Sequence, residues 1–311
     1  MNIDQAVSDA SDCDRIRRMA IGLHDGESIV MRADAPEDAM AFDGFGELLC
    51  LKPEPAGQGE AADAELVAPG GIPDGRIVLR DQAMTEIAYV ADRGRVLIEG
   101  WKKRPRRPMY YNCYVWQATL ICACMNAMLR GVKAVPVHGA VLETDHGAAL
   151  LFGESGMGKS TAFARWRSCG GAGYSDDMAL LDFSGADGAI RVRRLPTWSA
   201  CREGRNEWVY PVDEELSLAC VLALGRSETG EDEIVDLSPA QYFAQCYRSM
   251  FYWILFYAKS LPEDLQKRLA DAVRPMTERV TARYAPRALL TSLNGTRLAE
   301  LVETAIRDAG R

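Results

Sequence analysis

The stretch "GAALLFGESGMGKSTAFARW", residues 147–166, constrains this chain more than any other. An unbroken apolar run enters a glycine-rich loop, and a lysine and a serine open the segment that leaves it. Gly153, four intervening residues and Gly158-Lys159-Ser160 satisfy the pattern G-x-x-x-x-G-K-[ST]. Glycines let the backbone turn so that successive N–H groups point inward, where they can meet phosphate oxygens. A helix that starts at the end of such a loop adds its positive terminus. Gly153, Glu154, Ser155, Gly156, Met157, Gly158, Lys159, Ser160 and Thr161 are therefore expected to wrap nucleotide phosphates. Lys159 would neutralise the β- and γ-phosphates, and Ser160 would offer its hydroxyl to Mg²⁺. A buried strand before the loop and a helix after it place the chain in the α/β class.

The rest of the sequence divides around this loop. Residues 1–20 read as a short helix or a disordered start. "SIVMRA", "GELLCLKP", "RIVLRD" and "TEIAYVADRGRVLIEG" are short and β-like, and the last turns as a hairpin at 92–95. "PEPAGQGEAADAE" (53–65) reads as a loop, and "KKRPRRP" as a solvated linker. These features define a small, mostly β domain over residues 1–107, whose role no motif names, and a second domain over 108–311. The second opens with a buried helix at 110–131, closed by Gly131, followed by a strand at 134–143. Beyond the loop helix come a strand–turn–strand unit, a buried strand at 218–226, and a long helix with Ser238 as cap and Pro239 in its first position. Two further helices end the chain.

Composition excludes several classes. A net charge of −8 argues against non-specific nucleic-acid binding, which relies on clustered Lys and Arg. No apolar run reaches the roughly 18 residues of a membrane span; the richest, "MFYWILFYA", reads as a core or interface helix. The nine cysteines show no paired CxxC spacing, and no secretory signal opens the chain, so reduced thiols in the cytoplasm are expected. A homo-oligomer is compatible with this composition.

Two neighbours of the loop bear on what receives the phosphate. Asp176-Asp177 lies where the next strand should pass beside the cradle. If both sit on that strand, they point to opposite sides, so one can face the γ-phosphate. A carboxylate there either holds Mg²⁺ through water or takes the proton from an attacking hydroxyl; the other reading is a pair of turn-forming aspartates. His138, in "VPVHGAV", is one of three histidines. It could hydrogen-bond the catalytic carboxylate or a phosphate oxygen, or be a satisfied structural residue.

Together, the "VHG" strand, the "GESGMGKS" loop and the "SDD" pair resemble the catalytic core of the HPr kinase/phosphorylase family, over residues 135–181. The resemblance implies a P-loop core of mixed β-sheet flanked by helices, related to phosphoenolpyruvate carboxykinases, with a small β-rich N-terminal domain beside it. It also implies an ATP- and Mg²⁺-dependent kinase acting on a serine of a small protein. Carried over, Asp176 would be the general base, Asp177 would orient it or reach the metal with Ser160, and His138 would sit by Asp176 and the γ-phosphate. Thr161 stands where the family usually has an acid, and residues 195–215 replace its downstream glycine-rich signature. Arg202 and Arg205 in that segment are candidates for steadying transferred charge. Relatives with a small β-rich N-terminal region include kinases of ribosomally made precursor peptides, the favoured acceptor class. A kinase of a small hydroxylated metabolite and a nucleotide-binding regulator without transfer are the alternatives. The aromatic helix at 247–259 would line a peptide groove or pack in the core.

Overall fold

This computed structural model describes residues 17–23, 25–33, 46, 49, 51–52, 54–55, 61–67, 77–80, 86–90, 95–99, 108–196, 211–258 and 261–309. The chain forms two compact units, Met1–Ala127 with Asn206–Asp213, and Met128–Arg205 with Glu214–Arg311.

The first unit holds a seven-stranded sheet in the order β3-β1-β2-β4-β7-β6-β5. Its strands are β1 (Arg17–Gly22), β2 (Ser28–Ala33), β3 (Glu54–Pro55), β4 (Ala64–Val67), β5 (Ile77–Arg80), β6 (Glu86–Val90) and β7 (Arg95–Glu99). Helix α1 (Pro108–Leu129) follows. The expected hairpin is present, with Val90 opposite Arg95 in an antiparallel pair. Three expectations fail. "RRMAIG" is strand β1, because Met19 and Ile21 alternate into the core with the period of a strand. "GELLCLKP" has helical backbone at Gly46 and Leu49. The supposed loop 53–65 contains β3 and the start of β4. Buried charge hid β4: Glu65 lies 3.9 Å from Arg32, and Asp63 accepts the Val30 N–H at 2.9 Å. Of the expected linker at 102–108, residues 102–107 lie outside the described residues, as do Arg202 and Arg205, while Pro108 opens α1.

The second unit has the expected mixed α/β architecture. Its elements are β8 (Ala134–Thr144), β9 (Gly147–Phe152), α2 (Lys159–Ser168), β10 (Ala172–Ser175), β11 (Met178–Asp182), β12 (Arg191–Arg194), β13 (Glu215–Arg226), β14 (Glu233–Asp236), α3 (Pro239–Ala258), α4 (Glu263–Arg283), β15 (Arg287–Thr291) and α5 (Leu298–Ala309). Gly131, at φ 100°, closes the turn after α1 as expected. An eight-stranded sheet runs β10-β8-β11-β12-β13-β15-β14, and β9 pairs both β8 and β13. The circuit β8-β11-β12-β13-β9 therefore returns to β8. Strand β9, "GAALLF", lies at its centre, parallel to β13 and antiparallel to β8, and is buried from Ala148 to Phe152 as its unbroken apolar run requires. Helix α2 packs on β8, β10 and α5, while α3 packs on β8, β9, β13 and α4. Strands β14 and β15 were not anticipated, being only 4 and 5 residues long.

One position explains how this sheet closes. Strand β8 pairs with β11 through residues 134–138 and with β9 through 139–144. At the handover, a Cβ on Gly139 would stand 2.6 Å from Leu150 Cδ1 and 3.0 Å from the Leu151 carbonyl oxygen. The glycine after His138 is thus a packing requirement, and it fixes the histidine where three strands meet.

Candidate active site

Strand β9 delivers Gly153 to the loop, and the loop ends on the first turn of α2. Gly156 and Gly158 take φ values of 82° and 97°, which non-glycine residues adopt only at a cost. A Cβ on Gly153 would come within 3.1 Å of the Leu224 carbonyl oxygen. Gly158 caps α2 without any side-chain hydrogen bond, leaving the first-turn N–H groups to an incoming acceptor. Lys159 is buried, and its Nζ donates to the carbonyls of Gly153 at 2.9 Å and Glu154 at 3.0 Å. Burial lowers its pKa from 10.5 to about 8, against an opposing pull from Asp177. The ammonium thus lies folded onto the loop it is expected to serve. Ser160 and Thr161 are exposed on the first turn of the helix.

The aspartate pair does not lie on a strand as expected. Residues 176 and 177 form a bend between β10 and β11, so their environments are set by that break and not by alternation. Asp176, expected as the base, is 4% exposed. His138 was expected beside Asp176; it lies beside Asp177, with Nε2 to Oδ1 at 3.1 Å. The backbone explains the choice: the Gly139 N–H donates to the Asp177 carbonyl at 3.0 Å, and Met178 is in register with His138. The Asp177 carboxylate is 22% exposed, against 6% for the histidine ring. Asp177 also acts electrostatically on Lys159, which ties the pair to the phosphate loop.

Helix α3, expected as a long helix whose aromatic part would line a peptide groove or pack in the core, builds the third wall. Ser238 and Gln241 cap it reciprocally: the Gln241 N–H donates to Ser238 Oγ at 3.3 Å, and the Ser238 N–H to Gln241 Oε1 at 3.2 Å. Its buried residues are Tyr242, Cys246, Ser249, Met250, Ile254, Tyr257 and Ala258. Ser249 Oγ donates to the His138 carbonyl at 2.6 Å. Tyr252 stacks on the His138 ring at 4.0 Å between centroids, and Trp253 meets its edge at 5.6 Å. The Trp253 indole N–H is buried with no hydrogen-bond partner among the described residues, a donor left over beside the histidine. Tyr252, Leu255 and Phe256 are exposed on the outer side of the helix. Arg248 reaches the loop itself, donating to Glu154 Oε1 at 2.9 Å.

A second charged cluster secures α2. Asp232 is 1% exposed and accepts from Arg165 Nη1 at 3.0 Å, the Ser292 N–H at 3.1 Å and the Arg297 N–H at 3.0 Å. Burial pushes this carboxyl up, but Arg165 and the two N–H groups outweigh it and hold it below the usual carboxylate range.

The residues present fit Mg²⁺ rather than a metal caged by protein. No cluster of three or more His, Cys, Asp or Glu suited to a metal occurs among the described residues. Mg²⁺ keeps several waters and takes one or two protein oxygens with its phosphates, which the Ser160 hydroxyl and a part-exposed Asp177 carboxylate can supply. The cysteines described (Cys122, Cys124, Cys169, Cys220 and Cys246) are free thiols. No helix among the described residues is long and apolar enough to cross a membrane.

No curated protein matches the chain. Among solved structures, the Hpr(Ser) kinase/phosphatase from Coxiella burnetii aligns with 34% of this chain and 71% of its own, at 17% identity. The TM-score is 0.22, a level that does not establish a shared fold. A family model described as "SynChlorMet cassette protein ScmC" matches residues 112–295, a span that holds His138, the loop, both aspartates and α3. The chain belongs to that family.

Proposed function

We propose that this protein is an ATP- and Mg²⁺-dependent kinase that transfers the γ-phosphate to a serine hydroxyl of a small protein or ribosomally made precursor peptide. The observation that carries this reading is the His138–Asp177 pair, 3.1 Å apart and electrostatically linked to Lys159 of the loop. Hydrolysis needs only a positioned water. A carboxylate oriented by an imidazole and left part-exposed suits a hydroxyl brought from outside.

The loop N–H groups and Lys159 hold the phosphate chain and offset its charge. Asp177 takes the proton of the attacking hydroxyl as its oxygen bonds to the γ-phosphorus. The bond from that phosphorus to the β,γ-bridging oxygen breaks, and ADP leaves with the electron pair. His138, fixed by Ser249 and Tyr252, orients the carboxylate. Mg²⁺, when bound, would be held by the Ser160 hydroxyl and the phosphates, with Asp177 left for the proton, and would supply charge neutralisation on the phosphate oxygens. Few reactive side chains are needed because the work is positioning and electrostatics. Asp176, more deeply buried, lies in the bend that presents Asp177.

A polypeptide acceptor is favoured over a small metabolite by the surroundings of the pair. The ring stacked on His138 belongs to Tyr252, which is exposed together with Leu255 and Phe256 on the same helix. Such a strip suits a chain laid along α3. The test is incubation with γ-labelled ATP, Mg²⁺ and synthetic serine-containing peptides encoded beside this gene. Label on a peptide serine is the expected result; turnover of a small hydroxy compound with no labelled peptide would contradict the acceptor class.

A further inference from the structure

The loop has two flanks. His138 and Asp177 occupy the β8 side. On the β13 and β15 side lies a cavity of about 310 Å³, lined by Met157 of the loop, Leu224, Leu237, Leu290, and Gln245 and Arg248 of α3. Nothing in the phosphate chemistry uses it. Its volume sits at the lower end of the roughly 300–1,000 Å³ typical of small-molecule sites. Its character suits a planar heteroaromatic ring: apolar walls, and a small number of polar groups that fix orientation. The cavity reaches the loop at Gly153 and Glu154, so a group within it is continuous with phosphates held there.

We infer that this cavity is the nucleobase subsite and that Gln245 makes it selective for adenine. The inference rests on the reading of the loop as a nucleotide cradle and deepens it. A nucleotide whose γ-phosphate faces Asp177 has its nucleoside at the far end of the phosphate chain, away from the β8 flank. Leu224, Leu290 and Met157 provide the faces against which a purine packs. The Gln245 amide carries an acceptor and a donor side by side, which match the exocyclic amine and N7 of adenine; on the same edge of guanine O6 and N7 both accept, so the Gln245 carbonyl is left unpaired. Gln245 is part-exposed, and its amide is committed to no other described residue. At the rim, Arg248 pairs with Glu154 at 2.9 Å, joining α3 to the loop and closing one wall.

The test is calorimetric titration of the full chain with ATP, GTP and inorganic tripolyphosphate, each with Mg²⁺, for the wild type, Gln245→Leu and Leu290→Trp. The wild type should bind ATP at least about tenfold tighter than either GTP or tripolyphosphate. Leu290→Trp should fill the cavity, reducing ATP to the affinity of tripolyphosphate while tripolyphosphate itself binds within about twofold of wild type. Gln245→Leu should bring ATP and GTP within about threefold of each other. Wild-type binding of ATP no tighter than tripolyphosphate would overturn the inference, as would unchanged ATP affinity in Leu290→Trp. Should Leu290→Trp weaken both ligands together, Gln245→Leu decides: a retained ATP preference overturns the subsite, a lost one supports it. Failure of both ATP and tripolyphosphate to bind the wild type would remove the cradle and the subsite with it. Nucleobase-selective binding without transfer to any acceptor would leave the subsite standing and sink the kinase reading.

Discussion

Two acids in the same unit are treated in opposite ways. Asp232 has its carboxylate fully enclosed and fixed by Arg165 and the N–H groups of Ser292 and Arg297, with both oxygens engaged. Asp177 shows one hydrogen-bonding partner among the described residues, His138, and keeps 22% of its side chain in contact with solvent. A carboxylate with every acceptor position taken can hold structure but cannot take a proton or meet a substrate. One held at a single point, beside the loop proposed to hold phosphate, is open to a further partner. The contrast separates anchoring from chemistry better than residue type or charge does.

Substitutions should break this contrast in different currencies. Asp177→Asn should cost the largest factor, about 10²–10⁴ in transfer rate, with ATP affinity and melting temperature close to wild type. A parallel loss of melting temperature would make Asp177 another anchor. Asp232→Asn leaves the part-buried Arg165 against a neutral partner and should lower unfolding stability by about 2–4 kcal/mol in urea titration. Gly139→Ala forces a Cβ against Leu150 at the strand handover and should destabilise by about 1–3 kcal/mol, with transfer lost in proportion to the misplaced histidine. His138→Gln can still hydrogen-bond Asp177 but cannot stack as a ring on Tyr252; about tenfold in rate is expected, with unchanged nucleotide affinity.

The smallest effect is on pH. Lys159 has its pKa depressed to about 8 by burial, so the free site loses its positive charge as pH rises through that value. Phosphates on the loop stabilise the ammonium, so above about pH 8 nucleotide binding must take up a proton. ATP affinity should be flat below neutrality and fall above pH 8 by up to about tenfold per unit. Calorimetry in buffers of different ionisation heat measures that proton uptake directly.

How much of this was legible in the sequence varied with the physics involved. The loop, its entering strand and its leaving helix were plain, because glycine positions and an unbroken apolar run leave few alternatives. The helix at α3 was legible from its cap, Ser238 and Pro239, and from its length. Strands β1 and β4 were not, since Arg17, Arg18, Glu65 and neighbouring acids mask the alternation, and only pairing partners such as Arg32 make burial of Glu65 tolerable. Which aspartate meets His138 was beyond the sequence as well. The choice depends on a two-residue bend and on the Gly139–Asp177 backbone bond, neither of which leaves a pattern in residue types. The ring contacts of Tyr252 and Trp253 with His138 bridge more than a hundred residues, and an aromatic run alone gives no partner.

The central claim is that Asp177, held by His138, accepts the proton of a hydroxyl phosphorylated from ATP on the Gly153–Ser160 loop. Its most direct test is single-turnover transfer from γ-labelled ATP to a synthetic serine peptide encoded beside this gene, comparing wild type with Asp177→Asn at matched ATP occupancy. The account predicts label on the peptide serine in wild type and a loss of at least about a hundredfold in the variant, with ATP still bound. Transfer undiminished in Asp177→Asn, or abolished equally by Asp176→Asn with Asp177 intact and the protein still folded, would contradict it.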